Sequence, residues 1–327
     1  MENKFKISSL QIGVITFFLS QVSFFPLISK ILYKSVHQDI WISSILGFLI
    51  GLLLLNLFLK LQDKLNDKNI LEYNLDKFGS VLGNIINFII TSVIILITVS
   101  LFSKFCIFLN VNYLPNFPIL IIEITFILLV IYTIKKGIEP IFRTSQILGI
   151  ISILLFISAI VLNAYNFNLN NIFPIFEHKI SVIASSSLYY GISSVLPLFL
   201  LCIFPKSIVL QEEKYNKSII WGYIISSIMT FIILITTLLV LGKHLIVSFE
   251  YPEFISFKQI QYFYFIERFE LIFSMIWIFN IFVFCVLSLY FVYEYIKNTF
   301  KVKNNSFILI LIGIIIILIS NFVIFLK

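Results

Sequence analysis

The amino-acid sequence predicts an all-α integral membrane protein. Hydrophobic residues make up 60% of the 327 residues, charged residues make up 12%, and the mean hydropathy is +1.07. These values lie outside the range of soluble domains. The apolar residues form nine runs, each of about 20 residues, the length at which a helix crosses a bilayer core roughly 30 Å thick. In lipid, every backbone polar group needs a partner within the protein, so we expect each run to be a helix.

The nine runs, numbered spans 1 to 9, leave little chain for a soluble domain. Spans 3 and 8 are long enough to tilt or to project from the membrane. The longest polar stretch has room for one short surface helix, and span 1 lacks the small-residue cleavage site of a signal peptide, so we expect it to remain as an anchor. We therefore predict a single polytopic membrane domain with spans near residues 9–31, 40–61, 82–109, 118–134, 143–163, 182–205, 217–242, 266–296 and 306–326.

Basic residues cluster at alternate ends of the spans, which predicts the orientation of the chain. The positive-inside rule places these ends in the cytoplasm, so the N-terminus is predicted to be cytoplasmic. Anionic lipid at that face accounts for the net charge of +7, and no nucleic-acid partner is expected. The cluster holds 15 of the 23 Lys and Arg residues: Lys4, Lys6, Lys60, Lys64, Lys68, Lys77, Lys135, Lys136, Arg143, Lys206, Lys214, Lys217, Lys297, Lys301 and Lys303.

Residues that carry catalysis or bind metals do not form a recognisable site in the sequence. The three cysteines lie inside apolar runs without a CxxC pattern, as core residues do. The three histidines fall in predicted external loops, with no nucleophile or carboxylate at a catalytic spacing. Because Walker A, GxSxG and HExxH motifs are also absent, we predict no enzyme, no catalytic residue, no metal and no cofactor.

Two spans contain residues that interrupt a membrane helix. In span 1, Pro26 removes a backbone donor and clashes with the carbonyl of Val22, while Ser20, Gln21 and Ser23 can bond to the groups that are freed. In span 6, a serine-rich stretch at residues 185–194 precedes Pro197. Breaks five spans apart are expected when the first helix of each half of a five-plus-five inverted repeat is discontinuous. A simple proline kink is the alternative for span 1.

Charged residues inside or at the edge of the spans are further candidates for function. Glu123 in span 4 is either an ion-pathway carboxylate or an interfacial residue that stays solvated. Glu267, Arg268 and Glu270 open span 8, with the two carboxylates on one helix face. For this group we favour an ion pair at the outer interface, made with a carboxylate on a neighbouring helix, over direct contact with a ligand.

Six segments, in order along the chain, are similar to one known family. The chain resembles the B-subunit permeases of nutrient germinant receptors in spore-forming bacteria, the GerAB-like spore permeases of the amino acid–polyamine–organocation superfamily. The segments are residues 7–11 (ISSLQ), 41–47 (WISSILG), 72–73 (EY) with Gly79 and Gly83, 137–143 (GIEPIFR), 173–176 (FPIF) and 267–270 (ERFE) with Trp277.

The resemblance implies a LeuT-like five-plus-five inverted repeat with broken helices 1 and 6, of which this chain lacks helix 10. It also implies a spore inner membrane location and A-type and C-type partner subunits. A small nutrient, such as an amino acid, would bind and trigger germination through these partners. The implied ligand-binding residues are Ser20, Gln21, Ser23, Tyr190, Gly191 and Ser193.

Two other functions remain open from the sequence. One is a proton- or sodium-coupled amino acid transporter. The other is a scaffold subunit that has lost ligand binding, which is favoured because Phe24 and Phe25 stand where the family has a small, glycine-containing break. Ser193 also replaces an acidic residue that many members carry in span 6.

Overall fold

The computed structural model describes residues 7–65, 67–259, 269–301 and 306–325, and no strand occurs among them. Seven helical stretches in this part of the chain are long and apolar enough to cross a membrane. The chain is thus an all-α integral membrane protein. Its helices are α1 (Ser9–Val22), α2 (Ser29–Val36), α3 (Ile40–Lys64), α4 (Ile70–Tyr113), α5 (Ile119–Lys135), α6 (Ile138–Asn163), α7 (Ile180–Val195), α8 (Tyr215–Ser248), α9 (Pro252–Lys258), α10 (Glu270–Phe300) and α11 (Ser306–Phe325).

The start of α1 is fixed by local and long-range hydrogen bonds. The Ser8 hydroxyl accepts from the Gln11 backbone N–H while the Gln11 side chain accepts from the Ser8 N–H, a capping box. Ile7 exchanges backbone hydrogen bonds with Ile208 and Leu210 at 2.9 and 2.8 Å. The first turn of span 1 is therefore held against the segment that links spans 6 and 7.

Span 1 is interrupted between α1 and α2. Phe25 has φ −104° and ψ 122°, an extended conformation inside an otherwise helical run. The residue before a proline is sterically excluded from the helical region, so Pro26 accounts for the position of the break. Two short half-helices, α1 and α2, result.

Span 6 changes its helical type at Pro197. The serine-rich stretch belongs to a continuous helix, α7, and a 3₁₀ segment follows from Leu196 to Ile203. Ser187 and Ser194 donate hydrogen bonds to backbone carbonyls of their own helix, at 2.7 and 2.8 Å. Proline is tolerated in the first turn of a new helical segment. The change from α-helix to 3₁₀ helix therefore comes after the serine-rich stretch and not within it.

Helix α4 is sharply bent at Gly79. This glycine has φ 77°, a left-handed conformation that side chains disfavour. The preceding turns lie against the following ones, where Asn74 Nδ2 donates to Asn87 Oδ1 at 2.8 Å and Asn87 Nδ2 donates to the Leu71 carbonyl at 3.0 Å. The polar stretch before span 3 therefore carries a short helix folded onto the base of that span.

Helix α10 lies at the centre of the bundle. Nearly every residue from 276 to 293 is buried, as expected for a helix that is apolar on all sides. It packs against α1, α4, α5, α6, α9 and α11, while the pairs α1–α8 and α3–α7 form the most extensive helix contacts. Large apolar side chains of the outer helices, such as Leu53 and Val161, point outward, where lipid chains would cover them.

Candidate functional site

Gln21 connects three spans just before the break in span 1. Its side chain is 1% exposed, and its Nε2 lies 3.5 Å from the Ser226 carbonyl of α8. Its Oε1 accepts from Asn280 Nδ2 of α10 at 3.4 Å, and the same Asn280 nitrogen donates to the Ile276 carbonyl at 2.9 Å. A buried amide thus sits where α1, α8 and α10 meet.

Several buried polar atoms on α1, α8 and α10, the three helices that meet at Gln21, have no hydrogen-bond partner among the described residues. They are Ser20 Oγ, Ser226 Oγ, Thr230 Oγ1 and Asn280 Oδ1. Ser226 and Thr230 are one turn apart and therefore share a face of α8. Each unpaired buried group costs about 1–3 kcal/mol. We call these four residues together with Gln21 the polar seam, and it offers hydrogen-bonding groups that a polar ligand would satisfy.

Beside the seam, the breaks of spans 1 and 6 enclose a small cavity. Its volume is about 50 Å³, and it is lined by Ser23, Pro197 and Phe284 among others. Phe24 contacts the Tyr190 ring with centroids 4.6 Å apart, and Phe25 packs edge-on to Phe273 at 5.3 Å. The two phenylalanines at the break in span 1 are therefore packed against aromatic rings of α7 and α10.

The six ligand-binding residues expected from the resemblance lie in different surroundings. Ser20 and Gln21 belong to the polar seam, and Ser23 lines the cavity. Tyr190 is fully buried against Phe24, and Ser193 is buried as well. Gly191 faces α3, since a Cβ at this position would lie 3.0 Å from the Gly47 carbonyl oxygen.

The sequence did not single out the α8 and α10 members of the seam. Thr230 and Asn280 each stand alone among apolar residues, Ser226 stands beside Ser227 in an apolar run, and only tertiary packing brings Ser226 and Asn280 to Gln21. One feature of the sequence could have indicated these residues: a polar residue within an apolar membrane span is costly and tends to face the bundle interior.

Glu123 joins α5 to α11. The carboxylate is fully buried and accepts hydrogen bonds from Ser320 Oγ and Asn321 Nδ2. It is therefore not solvated at the interface, which was one of the two alternatives. These two hydrogen bonds hold span 9 against span 4.

The charges that open span 8 are only partly described. Glu267 and Arg268 lie outside the described residues, so the expected ion pair stays a prediction. Glu270 begins α10, is 7% exposed, and its Oε2 has no hydrogen-bond partner within the described ranges.

A second polar cluster lies at the start of span 2. Asp39 is fully buried and accepts from the backbone N–H groups of Phe176 and His178 at 2.8 and 3.1 Å, and His178 Nδ1 lies 3.0 Å from its Oδ2. Gln38 Nε2 donates to the Pro174 carbonyl at 3.0 Å. Asp39 thus anchors the loop before span 6 to the start of α3. This carboxylate–histidine pair was not predicted from the sequence, because its members are 139 positions apart.

A buried carboxylate also occurs in α9, the short helix between spans 7 and 8. Glu253 is 2% exposed, and its Oε1 has no hydrogen-bond partner in the described part of the chain. Burial disfavours the charged form and raises the pKa of Glu253 to about 7. We therefore expect this side chain to be largely protonated in mildly acidic solution.

Stability should fall as the pH rises through the range in which Glu253 ionises. The folded state holds this proton up to pH of about 7, whereas the unfolded chain releases it near 4.5. The free energy of unfolding should therefore decrease between these values, by roughly 3 kcal/mol, and Glu253→Gln should remove that decrease. Thermal unfolding of the purified chain from pH 4.5 to 8 measures it. Glu250→Gln, at a neighbouring exposed carboxylate, is the control; parallel profiles for wild type and Glu253→Gln would contradict the assignment.

Comparisons with known proteins give the family. Residues 6–323 match the family model described as spore germination protein (spore permease). YfkT of Bacillus subtilis (strain 168) is 28% identical over 249 residues, covering 76% of this chain and 67% of the relative. Spore germination protein XB of Bacillus anthracis is 22% identical over 95% of this chain and 85% of its own length. Spore germination protein YndE of Bacillus subtilis (strain 168) is 22% identical over 86% and 77%, respectively. The chain belongs to the spore germination protein family of spore permeases.

Proposed function

We propose that the chain is the permease-like subunit of a nutrient germinant receptor in the spore inner membrane. In this proposal it binds a small nutrient and signals germination through A-type and C-type partner subunits. Membership in the spore permease family supports the process, and that family is not an enzyme family. The lysine-rich span ends support an N-terminus in the cytoplasm.

The polar seam is the structural feature that best supports nutrient binding. Its members are hydroxyl and amide groups without formal charge, and four of their atoms lack a partner among the described residues. A zwitterionic amino acid has no net charge, so such groups and nearby helix ends meet its charged groups without a full counter-charge. The adjacent break in span 1 provides a joint at which α1 and α2 move relative to each other when the nutrient enters.

A scaffold without ligand binding is the second candidate, and one observation favours it. Phe24 and Phe25 are 1% and 3% exposed, and the cavity lined by Ser23 and Pro197 has a volume of only about 50 Å³. Nutrient binding requires these rings to swing aside, whereas a scaffold would keep them in place.

Germination of spores tests the proposal. Gln21→Leu removes the amide that contacts Ser226 and Asn280. If this lowers the binding free energy of the nutrient by about 1.4 kcal/mol, the nutrient concentration for half-maximal germination should rise roughly tenfold. Gln62→Leu is the matched control, because Gln62 is equally buried but bonds to Cys202 instead. An unchanged dose response for Gln21→Leu, at equal protein level, would contradict nutrient binding at the seam. Ionophore-sensitive amino acid uptake into vesicles by the chain alone would point to a coupled transporter.

A further inference from the structure

A groove separate from the polar seam lies on the lateral surface of the bundle, between α1, α6 and α8. Its volume is about 620 Å³, within the range of about 300–1,000 Å³ found for small-molecule sites. Leu10, Ile150 and Trp221 line it and are each more than half exposed. The groove is therefore open sideways, on a surface that lipid chains cover in the membrane.

Glycines form the floor of this groove. A Cβ at Gly222 of α8 would lie 2.1 Å from the Gly13 carbonyl oxygen of α1, so the two backbones touch. Gly149 of α6 faces the Val14 side chain of α1, since a Cβ at Gly149 would lie 2.6 Å from Val14 Cγ1. Because glycine has no side chain, the helices approach closely here and leave a depression that the neighbouring apolar residues do not fill.

Positive charge lies at one rim of the groove, near the start of α8. Lys214 and Lys217 both line it and are exposed, and neither makes an ion pair within the described residues. Glu212 and Glu213 precede them but do not line the groove. Helix α8 begins at Tyr215 without a side-chain cap, so its positive dipole end adds to the lysine charges.

Trp221 lies one turn further into the groove from Lys217, on the same face of α8. Tryptophan is enriched at the level of lipid headgroups. The order along the groove is thus lysine, tryptophan and then aliphatic residues such as Ile153 and Ile225, which matches the order of headgroup, interface and acyl chain in a phospholipid.

We propose that this groove binds one anionic phospholipid from the leaflet on the N-terminal side of span 1. Its phosphate contacts Lys214 and Lys217, and one acyl chain lies over Gly13, Gly149 and Gly222. The bound lipid bridges α1, the first half of the broken span, to α6 and α8. It therefore restrains the half-helix that must move if the break in span 1 acts as a joint.

Lipid-dependent thermal stability of the purified full-length chain tests the site. In detergent, phosphatidylglycerol should raise the apparent Tm and phosphatidylcholine should not. In Lys214→Gln/Lys217→Gln the affinity for phosphatidylglycerol should fall about 30-fold, which corresponds to about 1 kcal/mol for each lysine. The control Lys60→Gln/Lys64→Gln loses the same charge on α3, outside the groove, and should respond as the wild type does.

A second variant tests the apolar part of the site. Ile153→Trp fills the groove without changing charge, and it should weaken phosphatidylglycerol binding while native mass spectrometry shows fewer retained lipids. Equal stabilisation by phosphatidylcholine and phosphatidylglycerol, or an unchanged response of the double lysine variant, would overturn the proposal. Cross-linking of groove residues to a partner subunit in the co-expressed complex, in place of retained lipid, would overturn it as well.

Discussion

Gly222→Ala is expected to destabilise the protein by about 3 kcal/mol, in the upper part of the range for overpacked positions. The new methyl group would lie 2.1 Å from the Gly13 carbonyl oxygen, and backbone atoms cannot turn aside as a side chain does. α1 and α8 must then move apart, and the contact between Gln21 and the Ser226 carbonyl is lost with them. We therefore expect both a lower apparent Tm and weaker nutrient responses.

Helix propensity makes this result diagnostic. Alanine is a better helix former than glycine by about 1 kcal/mol, so a loss of stability isolates the cost of the helix contact. Gly313→Ala in α11 is the matched control, because its new methyl group meets methyl groups of the Ile127 and Ile131 side chains instead of backbone. A Gly222→Ala protein at least as stable as the wild type would show that α1 and α8 do not pack as described.

Asp39→Ala is expected to cost about 3–5 kcal/mol, because each hydrogen bond to a charged group contributes about 1.5–3 kcal/mol and the Asp39 carboxylate accepts two from backbone N–H groups. The substitution leaves the backbone N–H groups of Phe176 and His178 without their acceptor and frees His178 Nδ1. The loop before span 6 should detach from the start of α3. Chemical unfolding in mixed micelles measures the loss, and limited proteolysis within residues 166–179 detects the detached loop.

The control for Asp39 is an acidic residue in an exposed ion pair. Asp76 pairs with Lys68, and both side chains are more than half exposed, so Asp76→Ala should cost less than about 1 kcal/mol. Similar losses for the two variants, or a loop that resists protease in Asp39→Ala, would contradict the anchoring role.

Local chemistry explains the parts of the fold that the sequence predicted. The break in span 1 follows from Pro26 alone, because a proline constrains the residue before it and therefore sets the extended conformation of Phe25. Span 6 differs because its proline begins a 3₁₀ segment, which leaves the serine-rich helix before it continuous. A proline identifies an irregularity, but the hydrogen bonding of the following turn decides its form.

Tertiary packing determines the parts that the sequence did not predict. Gln21 was recognised as a candidate, but its contacts with Ser226 and Asn280 join residues 205 and 259 positions apart. Gly191 was expected beside the ligand, and the sequence did not predict that it faces Gly47, because which face of a membrane helix is turned inward depends on the neighbouring helix. Without a strong amphipathic pattern, the sequence of a membrane span carries little information about that rotation.

Ligand-dependent thermal stability is the most direct test of whether a small nutrient binds at the polar seam. The chain is purified with its co-expressed partner subunits and heated with each member of a panel of the common amino acids. At least one compound should raise the apparent Tm, because at 100 times its Kd a ligand adds about 2.7 kcal/mol to the folded state. Gln21→Leu should lose this rise while Gln62→Leu keeps it. No rise with any compound, or a full rise in Gln21→Leu, would show that no nutrient binds at the polar seam.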